Sequence, residues 1–347
     1  MACVMLLTPD LGGNYKMNKK ILQVTNLKVS FFTSAGEVKA VNDVSYHVCE
    51  NESIAIVGES GCGKSVTQLS VLQLVQSPPG KILGGEVLFK GKNLLRYKPN
   101  SKEIRRFRGA GIAMIFQEPM TSLNPVFTVG YQISEIISLH KRVNKKQAWD
   151  MGVSALKSVD ISDPASRMNN YPFELSGGMR QRVMIAMAIA CDSDIIVADE
   201  PTTALDVTTQ AQVIDLMMSL VNEHNKSLVF ITHNLGLVTR YTERIYVMYA
   251  GRIIESGTTE DLMTNPMHPY TIGLLNSVPK LEGKRTERLM PINGLPPSLI
   301  DLPLTCSFLP RCSCASEGCK TLPLPELRQV GDNGHFTACH LDVVAKL

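Results

Sequence analysis

Short apolar runs punctuate this chain, and most are too brief and too β-branched for helices. Residues 21–24, 27–32, 38–41 and 44–48 gather Ile, Val, Leu and Phe between the polar breaks Ser34-Ala35-Gly36 and Asn42-Asp43, a pattern that predicts antiparallel strands. Residues 53–57, 112–116, 194–200 and 228–232 are near-continuous apolar runs. Such runs predict parallel strands buried on both faces. Helical periods run over residues 66–74, 129–139, 147–159 and 180–190. Residues 245–249 and 252–255, with Ala250-Gly251 between them, predict a closing hairpin. The order of strands and helices is that of an α/β fold. Residues 1–16 carry no periodic pattern and predict a disordered leader, with Met17 as an alternative start.

Length and charge narrow the picture. At 347 residues the chain exceeds what one core serves, so two or three folding units are expected. A net charge of +3 is too small to point to nucleic acid as the main partner. The longest apolar run, residues 183–191, falls well short of the roughly 18 residues that cross a bilayer. The nine cysteines are uneven. Cys3, Cys49, Cys62 and Cys191 are scattered, whereas Cys306, Cys312, Cys314, Cys319 and Cys339 crowd the C-terminal end.

The first stretch with chemistry is Gly58-Glu59-Ser60-Gly61-Cys62-Gly63-Lys64-Ser65, which fits G-x-x-x-x-G-K-[ST] between a predicted strand and a predicted helix. Its glycines let backbone N–H groups turn toward an anion. Lys64 would reach the β- and γ-phosphates, and the Ser65 hydroxyl would hold Mg²⁺. Leu175-Ser176-Gly177-Gly178-Met179 repeats the device of bare N–H groups at a helix start. Asp199 and Glu200 close a predicted strand, and adjacent carboxylates there call for a cation. We assign Asp199 to the Mg²⁺ shell through water and Glu200 to polarising the attacking water. Gln117 and His233 also end predicted strands, where ligands of parallel sheets bind. An aromatic ahead of the loop, Phe31 or its neighbour Phe32, could stack on an adenine ring or equally serve as a core phenylalanine on a strand.

The loop at 58–65, Gln117, residues 175–179, Asp199-Glu200, Ala204-Leu205-Asp206 and His233 together resemble the nucleotide-binding subunit of an ABC transporter, over roughly residues 20–260. The resemblance implies a P-loop NTPase: a RecA-like core with an antiparallel β subdomain, an inserted helical subdomain at about residues 118–186, and ATP with Mg²⁺ as cofactors. It implies Gly58, Ser60, Gly61, Gly63, Lys64, Ser65, Val66 and Phe31 as nucleotide contacts, with Ser65, Gln117 and Asp199 at Mg²⁺. Glu200, His233 and Gln117 become the catalytic residues. It also implies a head-to-tail pair in which Ser176, Gly177 and Gly178 close on the partner's ATP while Asp206 communicates across the interface. Met179 stands where most members carry Gln.

Residues 117–125, residues 175–182 and Pro266-Met267-His268-Pro269-Tyr270-Thr271 are similar to the dipeptide and oligopeptide permease ATPases, a subfamily that includes nickel importers. The domain reading is thus a nucleotide-binding domain over 17–260 and a small Cys-rich extension over 261–347. Cys306-x5-Cys312-x6-Cys319-x19-Cys339 is similar to the four-cysteine tail that can hold a [4Fe–4S] cluster in those ATPases. Soft thiolates also suit zinc, although paired C-x2-C knuckles are missing, and free thiols are the third alternative. Cys314 is a fifth candidate ligand.

The implied function is an ATP-hydrolysing motor for di- and oligopeptide import. Its implied partners are a second, different cassette, two membrane permease subunits and, indirectly, an external solute-binding protein, with the chain peripheral on the cytoplasmic face of the plasma membrane. Alternatives are nickel or another small solute as cargo and, in another class, a redox-responsive regulatory or soluble ABC ATPase. Nucleic acid is not expected as a partner. A small-molecule kinase would not need residues 175–179.

Overall fold

The computed structural model describes residues 19–203, 205–277, 292–331 and 334–341, with the backbone alone of 7–9 and 15–17. The chain divides into two compact units, residues 1–96 with 231–347, and residues 97–230. Residues 261–347, predicted as a separate extension, therefore fall within the first unit. In chain order the first unit opens with an antiparallel pair, β1 (Leu7–Pro9) and β2 (Tyr15–Met17), where the pattern of residues 1–16 predicts no order. It continues with β3 (Lys20–Thr33), β4 (Gly36–Cys49), β5 (Ser53–Val57), α1 (Lys64–Val71), β6 (Gly80–Phe89) and β7 (Lys92–Asn93).

The four strand segments predicted before residue 50 are two long bulged strands, β3 and β4. Asn26 and Asp43 adopt positive φ (49° and 67°), a conformation their short polar side chains tolerate. Asn26 Nδ2 donates to Asp43 Oδ1 at 2.8 Å, and the Asn26 N–H donates to Ser45 Oγ at 2.8 Å. The polar break is thus a pinned bulge, and the ladder carries on past it. These strands form an antiparallel sheet in the order β4, β3, β6, β7.

The second unit holds α2 (Lys102–Phe107), β8 (Ile112–Ile115), α3 (Pro119–Ser122), α4 (Val129–Lys141), α5 (Lys145–Ser158), α6 (Pro164–Arg167), α7 (Gly177–Ala190), β9 (Ile195–Asp199), α8 (Val207–Glu223) and the first residues of β10 (Ser227–Thr232). β8 and β9 run parallel, from Ile112 opposite Ile195 to Ile115 opposite Ala198, and the order is β10, β9, β8. Every residue of β9 and β10 is buried, as continuous apolar runs require. Side chains cap the helices: Thr128 for α4, Asn144 in a capping box with Gln147 for α5, and Ser176 for α7. The hydrophobic pattern did not single out α8. Its start is set by Asp206, which accepts from the Thr209 N–H at 3.0 Å.

Back in the first unit come α9 (Leu235–Val238), β11 (Arg244–Tyr249), β12 (Arg252–Thr258), α10 (Thr259–Thr264), α11 (Pro269–Asn276), α12 (Glu317–Thr321), β13 (Arg328–Val330) and β14 (His335–Thr337). The predicted hairpin joins β11 to β12 through Ala250 and Gly251, both at positive φ (46° and 78°), the turn that matches strand twist. Strand order here is β13, β14, β12, β11, β5, with β11 and β5 parallel. No helix among the described residues is long and apolar enough to cross a membrane.

One acid at the foot of β11, exposed as a residue but with its carboxylate held against the Ser53 N–H, makes stability pH-dependent. Burial, reinforced by Glu52, pushes the Glu243 carboxyl from 4.5 up to about 7, although the Ser53 N–H donated to it at 3.0 Å works the other way. The folded chain therefore holds this proton more tightly than the unfolded chain, and Glu243's contribution to stability falls as pH rises from about 4.5 through 7. Glu243→Gln keeps the acceptor and removes the titration. Its urea midpoint should exceed the native one by more at pH 8 than at pH 5; an equal difference at both pH values would refute the assignment.

Candidate functional site

In the first unit, residues 58–65 form a glycine loop between fully buried β5 and α1. Gly63 is forced by its surroundings: φ is +103°, and a Cβ there would run into the Ala40 carbonyl oxygen and lie 2.9 Å from Met248 Cε. The loop's backbone can take this path only where side chains are missing. Lys64 is buried, and its ammonium donates to the carbonyls of Gly58 (2.8 Å) and Glu59 (2.9 Å). Burial pushes the neighbouring Cys62 thiol up, with the Lys64 charge opposing. Ser65 and Val66 are half-buried at the helix start, whereas Ser60 and Gly61 are exposed.

Residues C-terminal to the hairpin hold this loop. The Glu59 N–H donates to Tyr270 Oη at 2.8 Å. Tyr270 lies in α11, at the His268-Pro269-Tyr270-Thr271 motif, and that turn is itself anchored by Glu255 of β12. The fully buried Glu255 carboxylate accepts from the N–H groups of Met267 and His268 (2.5 and 3.1 Å) and meets His335 Nε2 at 2.8 Å. His268 Nδ1 accepts from the Tyr270 N–H at 3.1 Å, and burial lowers this imidazole to about 4, so it serves as a neutral acceptor. The motif stands out in the sequence but this role does not, because Glu59 and Tyr270 are far apart along the chain.

Phe31 is half-buried opposite Gly80 on β6, while Phe32 is 51% exposed. His233 is exposed just beyond β10.

In the second unit, the structure brings two of the predicted catalytic residues together. Gln117 Nε2 donates to Glu200 Oε2 at 3.0 Å, and Thr203 Oγ1, which sequence reading did not name, donates to the same oxygen at 3.0 Å. Glu200 sits at φ +43° in the turn after β9, a conformation costly for a non-glycine residue and typical of functional turns. Asp199 before it is buried. Ser176 caps α7 by accepting from the Met179 N–H at 3.3 Å, and Gly177 is exposed at the helix start. A Cβ on Gly178 would meet Thr209 Cγ2 at 3.0 Å, so the segment packs closely against α8. The Thr209 hydroxyl and N–H hold the Asp206 carboxyl below its usual range. Ala204 lies outside the described residues.

Cys306, Cys312, Cys319 and Cys339 line one small cavity together with His268, Phe308 and Pro325. Cys314 is exposed and does not line it. Burial pushes the thiols of Cys306, Cys312 (to about 11) and Cys339 up, while the Ser316 hydroxyl 3.3 Å from Cys319 Sγ draws that thiol down. Among the described residues no three His, Cys, Asp or Glu side chains are gathered closely enough to hold a single metal ion.

Residues 41–203 match the ABC transporter family model, and residues 254–319 match the C-terminal region of oligopeptide/dipeptide transporters. The chain is 48% identical over 92% of its length to a probable peptide ABC transporter ATP-binding protein of Sinorhizobium fredii, covering 94% of that relative. It is 50% identical over 85% of its length to the dipeptide transport ATP-binding protein DppD of Bacillus subtilis, covering 87% of it. Among solved structures, the dimeric bacterial ABC transporter cassette MJ0796 superposes with a TM-score of 0.61 at 26% identity, over 69% of this chain and 98% of the other. The cassette cbiO1 of Clostridium perfringens gives 0.58 at 25% identity, over 70% and 90%.

Proposed function

This chain belongs to the ABC transporter ATP-binding family, and from that premise we propose that it is the ATP-hydrolysing motor subunit of an importer of di- and oligopeptides. The observation that carries the cargo assignment is the oligopeptide/dipeptide transporter C-terminal region at residues 254–319, whose His-Pro-Tyr-Thr turn grips the glycine loop through Tyr270. The loop amides, Lys64 and Ser65 would hold the phosphates and Mg²⁺, with Asp199 supplying a carboxylate to the metal through water. Glu200, oriented by Gln117 and Thr203, would polarise the attacking water, and His233 would serve the γ-phosphate. In a head-to-tail pair with a second cassette, Ser176, Gly177 and Gly178 would present helix N–H groups to the partner's nucleotide. Closure would move the helical segment that meets two permease subunits at the cytoplasmic face of the membrane. The test is uptake by vesicles holding the assembled transporter. Labelled di- or oligopeptide should accumulate only with ATP inside the motor compartment; ATP-driven uptake of nickel with no peptide uptake would overturn the cargo.

The four cavity cysteines are our proposed ligands of a [4Fe–4S] cluster. Two features favour a cluster over zinc. Four thiol donors line one cavity, the number a [4Fe–4S] cluster takes, and the paired C-x2-C knuckles typical of structural zinc are missing from the sequence. Bound iron and sulfide would supply thiolate crosslinking of the C-terminal segment. Protein purified without oxygen should carry about four iron and four sulfide per chain, and Cys312→Ser should lose them. Zinc alone, or no metal, would refute the cluster and leave the ATPase assignment intact.

A further inference from the structure

Glu59, the second residue of the glycine loop, is fixed at every polar group that the loop does not itself use. Its N–H is taken by Tyr270, its carbonyl accepts the Lys64 ammonium, and its carboxylate meets a guanidinium from far along the chain. Arg311 Nη1 donates to Glu59 Oε2 at 2.6 Å and Nη2 to Oε1 at 2.9 Å, a parallel two-pronged pair. The Arg311 side chain is only 5% exposed, and its other contacts are saturated. Nε donates to the Asn293 carbonyl at 3.0 Å, Nη2 also reaches the Ile292 carbonyl at 3.5 Å, and Nη1 reaches Tyr249 Oη at 3.4 Å. The Glu59 carboxylate raises the affinity of Arg311 for its proton still further.

Arg311 ends a single tight turn, Leu309–Arg311, that is bonded at both sides to cavity cysteines. The Leu309 N–H donates to the Cys306 carbonyl at 3.0 Å, and the Cys312 N–H donates to the Leu309 carbonyl at 3.3 Å. Immediately before this turn Phe308 packs edge-on against Tyr249 and Tyr270, with ring centroids 5.3 and 5.4 Å apart. The cavity lining and the clamp on the phosphate loop are thus parts of one hydrogen-bonded turn.

We propose that Arg311 is a positioning residue of the phosphate loop: by clamping Glu59 it sets where the Lys64 ammonium rests, and it passes the state of the cysteine cavity to the nucleotide site. The inference rests on the reading of residues 58–65 as the MgATP loop. Arg311 meets the loop through the Glu59 carboxylate, so its effect falls on binding ahead of turnover.

The experiment is calorimetric titration of the full chain with MgATP, alongside steady-state ATPase kinetics. Arg311→Ala should raise Kd and KM about tenfold with kcat within about twofold, the size expected when a buried charge-assisted pair is broken. Arg311→Lys keeps the charge without the fork and should fall between, about threefold weaker than native. Glu59→Gln combined with Arg311→Ala should be no weaker than Arg311→Ala alone, since both remove one interaction. Cys312→Ser should shift Kd in the native background and leave it unchanged in Arg311→Ala.

Unchanged Kd in a folded Arg311→Ala or Arg311→Lys chain would overturn the positioning role, as would additive loss in the double variant. An equal Cys312→Ser shift in both backgrounds would overturn the link to the cavity. A native chain that binds no MgATP would overturn the loop assignment itself, and is distinguished because it fails before any substitution is made.

Discussion

Glu200→Gln should lower steady-state ATP hydrolysis by about 10²- to 10⁴-fold, the range over which a positioned acid or base contributes, while MgATP remains bound. The geometry explains why the two effects separate. Glu200 Oε2 accepts from two neutral donors, Gln117 Nε2 and Thr203 Oγ1. A glutamine carbonyl oxygen at the same place can accept both, so the turn at φ +43° keeps its shape. What disappears is the anionic oxygen able to draw a proton from water. Phosphate release under saturating MgATP, paired with a filter assay for retained nucleotide, reads both halves. Hydrolysis at the native rate would remove Glu200 from the reaction, and loss of nucleotide retention would make it a binding residue.

Gly63→Ala should cost the fold about 2 kcal/mol or more and abolish MgATP binding at millimolar nucleotide. Two penalties add at this position. The backbone is at φ +103°, where a side chain is strained by about 1–2 kcal/mol, and the new methyl is driven into the carbonyl oxygen of Ala40. That oxygen belongs to β4, a strand fixed by its ladder, so the loop must move instead. Gly61→Ala is the internal control. Its φ is +78°, yet no atom lies within 4 Å of the added Cβ, so it carries the strain without the collision. Urea unfolding should rank native, Gly61→Ala, Gly63→Ala in falling stability. If Gly61→Ala were the less stable of the two variants, close approach to β4 would not be what holds Gly63.

Much of the site was legible because its signals are local. A glycine loop between an apolar run and a helix, a Ser-Gly-Gly helix start, and paired carboxylates at a strand end each depend on residues a few positions apart. Regular secondary structure converts that spacing directly into position. The hairpin at Ala250-Gly251 was readable for the same reason.

The bulges of β3 and β4 were less so. Asn26 and Asp43 favour positive φ whether they make a turn or a bulge, and only the strand across the ladder decides which. The C-terminal cysteines show the same division. Their clustering stood out in the chain, but the exclusion of Cys314 follows from the way residues around 268 and 325 close the cavity.

The sequence by itself therefore determined the α/β class, the glycine loop between strand and helix, the carboxylates at the strand end and the family to which the chain belongs. Only the tertiary structure decided what steadies them. Thr203 and Gln117 share one oxygen of Glu200, Tyr270 and Arg311 hold Glu59, and Glu255 anchors the turn that carries Tyr270. Arg311 and Glu59 are separated by 252 positions. At that distance no local periodicity links two residues, and their meeting is settled by which strands pair and which faces must be buried, energies that belong to the folded chain as a whole.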